Sequence, residues 1–420
     1  LFQWNYKDIG NECGNFLGTN GYRYVQISPP QEHILGDQWW KDYQPVSYKI
    51  GSRRGTEAEL KEMIDKCEKS GVGVIADVVL NHMTAGSPSE TRIGSLGSEF
   101  KKYDYKFNGY TRGDFHDCGR NGNNLISNYS DRYEVQNCEL AGLSDLNTSK
   151  ESVRRTIKRY LNRLIELGIR GFRIDAAKHM DSIDVKNFLK DIPVRVVQEV
   201  IYGFSEPIQP IEYLSNGRVH IFRGASELRR MFMNDGIAYL ASPNPWGERW
   251  GSGYLPGSHS QVFITNWDME RGGTVALRFD MEPQIYILAQ VFVLTWDYGQ
   301  IDIYSGYNFT SYDDGPEQAS VECGRYGWRC EHRNPVIVGA VKLRSHISNE
   351  PVTNIMTSGI QRLAFNRGSK AFIAINNEDS EWILDGIEVK LDFSEDNEIR
   401  YYKLSNKILQ ALNRMMYVST

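Results

Sequence analysis

The sequence has 420 residues, which is long enough for a barrel-sized domain and a smaller one. Apolar residues make up 40% of it and charged residues 24%, a balance that excludes disordered and collagen-like chains. The 48 basic and 53 acidic side chains give a net charge of -5 with no basic stripe, and no apolar run approaches the roughly 20 residues of a membrane span. We therefore expect neither nucleic acid nor a membrane as a partner.

Helices alternate with short apolar strands through most of the chain. Apolar side chains at helical spacing predict a first helix over 56–70, and a β-rich stretch predicts a strand over 72–80. The same helix-then-strand pattern returns at 149–168 and 171–175, at 184–190 and 194–200, and at 227–234 and 261–265. This alternation predicts a parallel sheet, and its length favours a (β/α)8 TIM barrel over an open doubly wound sheet.

Two regions break the alternation. The stretch 83–143 is rich in Gly, Asn, Ser and Tyr, which predicts a subdomain inserted after a barrel strand. After about residue 347 the helical pattern stops, and short strands are expected at 360–365, 371–375 and 399–404. The tail is therefore predicted to be a separate antiparallel β domain.

The six cysteines include no CxxC pair of the kind found in zinc and redox sites, so disulfides in an oxidising compartment are the better interpretation. Asn-x-Ser/Thr acceptors at Asn128, Asn147 and Asn308 favour it, although such triplets also occur in plain surface loops. We expect a secreted, extracellular glycoprotein.

Polar residues end several of the predicted strands, and in a parallel barrel the loops after the strands share one rim. The strand ends carry, in chain order, Asp77 with Asn81-His82, Arg173 and Asp175 with Lys178-His179, Gln198-Glu199, and Asn266 with Asp268. Three acids on one rim, Asp175, Glu199 and Asp268, are a costly concentration of charge. One such acid alone is more often a solvated side chain or a helix cap.

This pattern suits a retaining glycosidase, which needs a carboxylate nucleophile and a carboxylic acid about 5 Å apart. A third carboxylate nearby would help to keep the acid protonated and would bind sugar hydroxyls. Trp39, Trp40 and Tyr43 would offer aromatic faces to pyranose rings, and core packing is the alternative for the two tryptophans.

Six stretches together resemble animal-type (chloride-dependent-like) α-amylases of glycoside hydrolase family 13. The resemblance implies that the protein is a divergent member of this family. The stretches are 21–33 (GYRYVQISPPQEH), 39–48 (WWKDYQPVSY), 77–83 (DVVLNHM), 171–180 (GFRIDAAKHM), 198–201 (QEVI) and 330–333 (CEHR). The resemblance implies a catalytic (β/α)8 barrel over 1–82 and 145–350, an inserted calcium-binding domain over 83–144, and a C-terminal β-sandwich over 351–420.

The resemblance also implies roles for individual residues. Asp175 would be the nucleophile, Glu199 the general acid/base and Asp268 the transition-state stabiliser. Further substrate-binding residues would be Trp39, Trp40, Tyr43, Asp77, His82, Arg173, Lys178, His179 and Trp267. Calcium would bind Asn81, Asp145 and the backbone carbonyls of Gln136 and His179. The implied disulfides pair Cys13 with Cys67, Cys118 with Cys138 and Cys323 with Cys330.

The sequence departs from the family in the block that carries the third acid. The family pattern Phe-Val-Asp-Asn-His-Asp is replaced by residues 263–268 (FITNWD), so that Thr265 and Trp267 replace an aspartate and a histidine. An indole has one N–H donor and no acceptor. If the contact of the family histidine with the sugar hydroxyls strengthens in the transition state, its loss would cost about 2 to 4 kcal/mol, or roughly 30- to 1000-fold in rate.

A second departure concerns the family's bound chloride. Arg173 and Asn266 match two of its partners, and alignment of 298–307 puts Asp302 where the family has a cation. A carboxylate repels chloride and attracts Arg173, so we expect the anion site to be lost.

Two functional hypotheses follow. One is a secreted α-amylase-like hydrolase or transglycosylase acting on α-1,4-glucan by retaining double displacement, with weakened or shifted specificity. The other is a catalytically impaired homologue that binds a carbohydrate or small ligand or serves another chemistry. The expected partner is an α-glucan or related oligosaccharide, and the expected state is a monomer.

Overall fold

The computed structural model describes residues 1–273, 275–380 and 382, and the backbone of 416–419. The chain divides into two compact units, Leu1–His220 with Ser305–Cys330, and Ile221–Tyr304 with Glu331–Thr420. Among the described residues, no helix is long and apolar enough to cross a membrane.

The first unit is built around a parallel sheet in the order β1-β5-β8-β9-β10. Its strands are β1 (Tyr24–Ile27), β2 (Gln31–His33), β3 (Pro45–Ser52), β4 (Gly55–Thr56), β5 (Gly73–Val78), β6 (Arg92–Ile93), β7 (Glu99–Phe100), β8 (Gly171–Ile174), β9 (Arg195–Gln198) and β10 (Arg218–His220). Its helices are α1 (Tyr6–Glu12), α2 (Glu57–Lys69), α3 (Arg132–Asn137), α4 (Glu151–Leu167) and α5 (Ser182–Leu189).

Local sequence signals explain where the main helices of this unit begin and end. The Thr56 side chain accepts from the Glu59 N–H and the Glu59 carboxylate accepts from the Thr56 N–H, a capping box that starts α2. Gly168 ends α4 in the left-handed conformation (φ 109°), which glycine adopts without steric cost. The predicted helices at 56–70 and 149–168 and the strand at 171–175 are confirmed within one or two residues, because start and stop signals of this kind depend only on neighbouring residues.

The segment between β5 and α4 has little regular structure, as predicted. It contains the two-stranded β6-β7 sheet and α3. Tyr105, Tyr110 and Phe115 are buried in it, with the Phe115 ring 5.6 Å from that of Tyr105 and 6.1 Å from that of Tyr110. Aromatic packing therefore supplies a small core where helices and strands are scarce.

Three disulfides lie in the first unit. They join Cys13 with Cys67, Cys118 with Cys138 and Cys323 with Cys330, which are the pairs that the resemblance implies. No described cysteine is free. The first bridge links α2 to the segment that follows α1, and the second links the residue that follows α3 to the loop before that helix.

The second unit contains two kinds of sheet. β11 (Ser260–Val262) and β12 (Gln300–Ile301) pair in parallel, and β13 (Val352–Thr357), β14 (Arg362–Arg367), β15 (Ala371–Asn376) and β16 (Met416–Ser419) form an antiparallel sheet in that order. Its helices are α6 (Phe222–Arg230), α7 (Trp267–Arg271), α8 (Pro283–Thr295) and α9 (Pro335–Ile347).

In the second unit, the prediction placed the start of one helix wrongly and missed two others. α6 begins at Phe222 rather than at 227 and continues into a single π-helical turn, Met231–Asp235. Helices α8 and α9 were not predicted. The sequence of α8 is apolar on most sides and lacks the period of a half-exposed helix, whereas α9 exposes Lys342, Ser345 and His346. The antiparallel tail agrees with the prediction at 360–365 and 371–375, and the predicted strand at 399–404 lies outside the described residues.

Candidate active site

Four charged side chains meet where three neighbouring parallel strands end. Asp77 in β5 lies opposite Arg173 in β8 in the register of the sheet. Asp175 follows β8 and Glu199 follows β9, and the backbone N–H of each donates to a carbonyl of the neighbouring strand at 3.0 Å. The sheet therefore brings together four residues that the sequence predicted at one rim.

The guanidinium of Arg173 bonds to all three carboxylates. Its Nη1 donates to both oxygens of Asp77, at 2.9 and 3.1 Å, and to Oδ1 of Asp175 at 2.7 Å. Its Nη2 lies 2.7 Å from Oε1 of Glu199. Because two nitrogens of one planar group hold Asp175 and Glu199, these carboxylates are close neighbours, which favours the shorter spacing of retaining glycosidases.

The cluster is buried and carries more negative than positive charge. Asp77, Arg173, Asp175 and Glu199 are all less than 9% exposed, and full ionisation would set three negative charges against one positive charge. Burial raises the pKa of Asp77 and, more strongly, of Asp175, and repulsion from Glu199 adds to both effects while Arg173 opposes them. The three carboxylates raise the pKa of Arg173, against the effect of burial.

A backbone donor that the sequence did not reveal completes the environment of Glu199. The N–H of Ala176 donates to Oε2 of Glu199 at 2.9 Å. Ala176 has left-handed backbone angles (φ 48°, ψ 33°), an uncommon conformation for a residue with a Cβ. Alanine carries no signal for this conformation, so only the structure locates the donor.

Tyr43 and His82 support the same cluster. The Tyr43 hydroxyl donates to Oδ2 of Asp77 at 2.8 Å, and Nε2 of His82 lies 3.0 Å from the Tyr43 carbonyl oxygen. Burial lowers the pKa of His82 to about 4, so its imidazole is neutral near pH 7 and donates to that carbonyl from Nε2. The predicted neighbours Tyr43, Asp77 and His82 are therefore joined in one chain of contacts.

The two predicted stacking tryptophans differ in their surroundings. Trp39 is 4% exposed, and its ring packs edge-on against Phe2, Tyr43 and Tyr312. Core packing, the alternative interpretation, accounts for Trp39. Trp40 is half-buried, with its Nε1 donating to Asp313 Oδ1 at 2.8 Å and Lys41 Nζ 4.4 Å from its ring centroid.

Lys178 and His179 lie on the short 3-10 turn Ala177–His179 beyond β8. Lys178 Nζ donates to the Ile201 carbonyl at 2.8 Å and pairs with Glu206, and it lies 5.5 Å from the ring centroid of Tyr129. Tyr129 and Glu206 were not predicted, because both lie in irregular stretches where no spacing rule marks a contact. Nδ1 of His179 lies 3.0 Å from the Val135 carbonyl oxygen, and burial lowers its pKa to about 4.

Comparison with known proteins agrees with this geometry. Residues 27–212 match the model of the α-amylase catalytic domain. An α-amylase of Streptomyces violaceus is 44% identical over 90% of this chain and 65% of that relative. An α-amylase-related protein of Drosophila pseudoobscura pseudoobscura is 36% identical over 90% of this chain and 80% of that relative. The chain belongs to the α-amylase family.

The similarity of three-dimensional structure extends over the same length. α-Amylase I of the earthworm Eisenia fetida superposes with a TM-score of 0.85 and 35% identity, over 90% of this chain and 83% of that one. A Glu-to-Gln variant of the earthworm enzyme, in complex with maltohexaose, matches equally well. The fold is the α-amylase fold, a TIM barrel with additional domains. The chain spans less than two thirds of two of these relatives, 65% of the α-amylase of Streptomyces violaceus and 64% of that of Thermomonospora curvata.

The residues that depart from the family pattern lie in the second unit. Asn266 caps α7, with Oδ1 accepting from the Met269 N–H at 2.9 Å, and Asp268 is the second residue of that helix. Trp267 is 8% exposed, and its ring lies 6.3 Å from that of Tyr304. Thr265, the second departure, is also buried. The indole is therefore held within this unit by packing.

Asp302 also lies in the second unit, where Oδ1 accepts from Gln261 Nε2 at 2.6 Å. The Asp302 carboxylate therefore accepts a hydrogen bond from a side-chain amide of β11. Its pairing with Arg173 in place of chloride stays a prediction.

The residues expected to bind calcium are buried oxygen donors. Among the described residues, Asn81 Oδ1 is buried and accepts no hydrogen bond. Asp145 accepts from His116 Nδ1 at 2.6 Å, and burial raises its pKa to about 7. The side-chain amide nitrogen of Gln136 donates to Met180 and Tyr213, at 3.3 Å each, and its backbone carbonyl is the predicted ligand. In the part of the chain that is described, no three His, Cys, Asp or Glu side chains form a metal cluster, and the implied set relies on amide and backbone oxygens instead.

Proposed function

We propose that the protein is a retaining glycoside hydrolase that acts on α-1,4-glucan. The observation that carries the proposal is the attachment of Asp175 and Glu199 to the two terminal nitrogens of Arg173, at 2.7 Å each. It supports a nucleophile and an acid/base held side by side. The family membership supports the same substrate class, and Asp268 is the proposed third acid.

In the proposed reaction Asp175 reacts in its ionised form, which Arg173 favours against the effect of burial on its pKa, and one of its carboxylate oxygens attacks the anomeric carbon of the sugar. The bond from that carbon to the glycosidic oxygen breaks, and the leaving oxygen takes the proton of Glu199. Water then gives a proton to Glu199 and attacks the anomeric carbon, which releases Asp175 and retains the configuration. Arg173 would hold Asp175 in place through both steps.

The contacts of Glu199 favour weak activity, which is the second candidate function. Both of its oxygens accept hydrogen bonds, from Arg173 and from the Ala176 N–H. A carboxylic acid needs one oxygen free of such donors to present its proton to a leaving group. Together with Trp267, this arrangement supports a homologue that binds glucan and hydrolyses it slowly.

A calcium ion fits the donors described above. Asn81 Oδ1 lacks a partner in a buried position, and Asp145 is a carboxyl group whose pKa is raised to about 7 by burial although His116 donates to it. A bound Ca2+ would satisfy both, with the backbone carbonyls of Gln136 and His179 completing an oxygen-only set. Because His179 and Lys178 share one turn, calcium would also order the residues beside Glu199.

The proposal also covers the localisation, glycosylation and domain organisation of the protein. Three disulfides support secretion into an oxidising environment. Asn128 and Asn308 are exposed and Asn147 is half-buried, so the first two are better acceptors for glycosylation. We also propose the domain boundaries given above (1–82 with 145–350, 83–144 and 351–420), a monomeric state and a lost chloride site.

The test compares the parent with Glu199→Gln on a panel of α-linked gluco-oligosaccharides. Turnover by the parent that falls by about 10²- to 10⁴-fold in the variant supports the hydrolase. Glu282→Gln is the matched control, because Glu282 also pairs with an arginine, Arg229 at 3.2 Å, in the second unit. Binding with slow turnover or none supports the second candidate, and a protein that neither binds nor cleaves any glucan refutes both.

A further inference from the structure

The turn that carries Asn128 is exposed and fixed in shape. Asn128 Oδ1 accepts from the Ser130 backbone N–H at 2.9 Å, and the Asp131 N–H donates to the Asn128 carbonyl at 3.1 Å. The backbone N–H groups of Ser127 and Asn128 both donate to Oε2 of Glu134, a buried residue of α3, at 2.9 Å each. Asn128 and Ser130, the first and third residues of a glycosylation triplet, are therefore presented to solvent on a well-held turn.

Tyr129, the middle residue of this triplet, connects the turn to the candidate active site. Its side chain is 39% exposed, and its ring lies 6.1 Å from that of His179 and 5.5 Å from Lys178 Nζ. The Lys178 backbone N–H donates to the Glu199 carbonyl at 3.2 Å, and its Nζ donates to the Ile201 carbonyl at 2.8 Å. Lys178 therefore links Tyr129 to the backbone of the proposed acid/base.

A second contact holds the same segment against the chain that follows Glu199. Arg132, the first residue of α3, pairs with Glu212 at 2.8 Å and donates to the Pro207 carbonyl. Both partners lie between β9 and β10, in the stretch that begins with Glu199. The segment that carries Asn128 therefore lies along one edge of the candidate active site.

This edge lies beside the part of the substrate that leaves. In the proposed reaction Glu199 protonates the glycosidic oxygen, so the sugars beyond that oxygen lie next to Glu199 and the residues around it. Consecutive Cα atoms are about 3.8 Å apart, whereas an attached glycan is bulky and contains several sugars. A glycan on Asn128 would therefore reach over Tyr129 and compete for space with the leaving part of a long substrate.

We propose that Asn128 is an N-glycosylation site whose glycan narrows the side of the active site that holds the leaving sugars. The proposal rests on the proposed function for the position of the substrate. In the modification, Asn128 Nδ2 loses a proton and bonds to the anomeric carbon of an oligosaccharide carried on a lipid diphosphate. The bond from that carbon to the diphosphate oxygen breaks, and the lipid diphosphate leaves with the electron pair. The glycosylated protein should bind a long α-glucan more weakly than the same chain without the glycan.

The test compares the Glu199→Gln protein with the double variant Glu199→Gln/Ser130→Ala, both secreted from insect cells. Ser130→Ala removes the glycosylation signal but keeps the backbone N–H that bonds Asn128 Oδ1, so the turn is preserved. Mass spectrometry of peptides should find a glycan on Asn128 in the first protein and none in the second. Calorimetry with maltoheptaose should show an affinity roughly 3- to 10-fold higher in the second protein, the scale of one peripheral contact regained.

Two controls separate the glycan from the substitution. Both proteins, made without glycans in a bacterial periplasm, should bind maltoheptaose equally. Asn308→Gln, which removes another exposed acceptor, should leave the affinity of the insect-cell protein unchanged.

The outcomes distinguish this proposal from the proposed function. Absence of a glycan on Asn128, or equal affinity with and without it, would overturn the proposal even if the parent hydrolyses glucan. Higher affinity without the glycan, in a protein whose parent hydrolyses nothing, would refute the hydrolase and support the position of the glycan. If neither form binds maltoheptaose, both proposals fail.

Discussion

Arg173→Met is the most informative test of the charge cluster. The change removes the one guanidinium that bonds Asp77, Asp175 and Glu199, while keeping a side chain of similar length. Arg173 is 1% exposed, so water cannot replace it without rearrangement of the core. Three buried carboxylates would then face one another with no compensating charge within the cluster.

The stability lost in Arg173→Met follows from the burial of the ion pairs that Arg173 makes. Removal of one partner from a buried ion pair typically destabilises a protein by about 3 to 5 kcal/mol, because the remaining charge is left uncompensated. At about 2 to 4 °C per kcal/mol for domains of 150 to 250 residues, the melting temperature should fall by roughly 6 to 20 °C. Activity should be lost as well, since Asp175 loses its support.

The raised pKa values of Asp77 and Asp175 make the free energy of unfolding depend on pH. A carboxyl group whose folded pKa lies above its unfolded pKa binds more protons in the folded state, so its contribution to stability is lost as pH rises through the folded pKa. Without Arg173 these pKa values rise further. The stability gap between parent and variant should therefore be small near pH 4 and grow toward pH 8.

The assay is thermal unfolding followed by circular dichroism at several pH values from 4 to 8. Arg163→Met is the control, because Arg163 also pairs with two acids, Glu57 and Glu166, and is 52% exposed. It should leave the melting temperature nearly unchanged at every pH. A variant at Arg173 that melts with the parent near pH 7, or a gap that does not widen with pH, would refute the reasoning.

Three further predictions concern other parts of the molecule. Trp267→His, which restores the family residue, should raise the rate of maltooligosaccharide hydrolysis by roughly 30- to 1000-fold. An unchanged rate would show that the Trp267 side chain does not limit hydrolysis. Calcium should raise the melting temperature of the chelated parent but not that of Asp145→Asn, as measured by calorimetry; an equal rise in both would remove Asp145 from the ligand set. Replacement of Cys118 and Cys138 by serine opens a loop with a sequence separation of 20 and should lower the free energy of unfolding in urea by about 3 kcal/mol. No loss would contradict the chain-entropy argument.

Much of the candidate site could be predicted because it follows from strand periodicity. Asp77, Arg173, Asp175 and Glu199 lie in or just after apolar strands, and parallel strands end at one rim of a barrel. The cap at Thr56 and the stop at Gly168 are similarly local signals. The role of Trp39 was harder to predict, since an aromatic residue near a rim can face either the solvent or the core.

The sequence by itself determined the α-amylase family, the main helices and strands of the first unit, and the acids that a glycosidase needs. These depend on residue type and short spacings, which act along the chain. Only the tertiary structure decided that one guanidinium holds three carboxylates and that the Ala176 N–H donates to Glu199. Such contacts join residues far apart in sequence, and no local preference encodes them because packing alone sets their distances and burial.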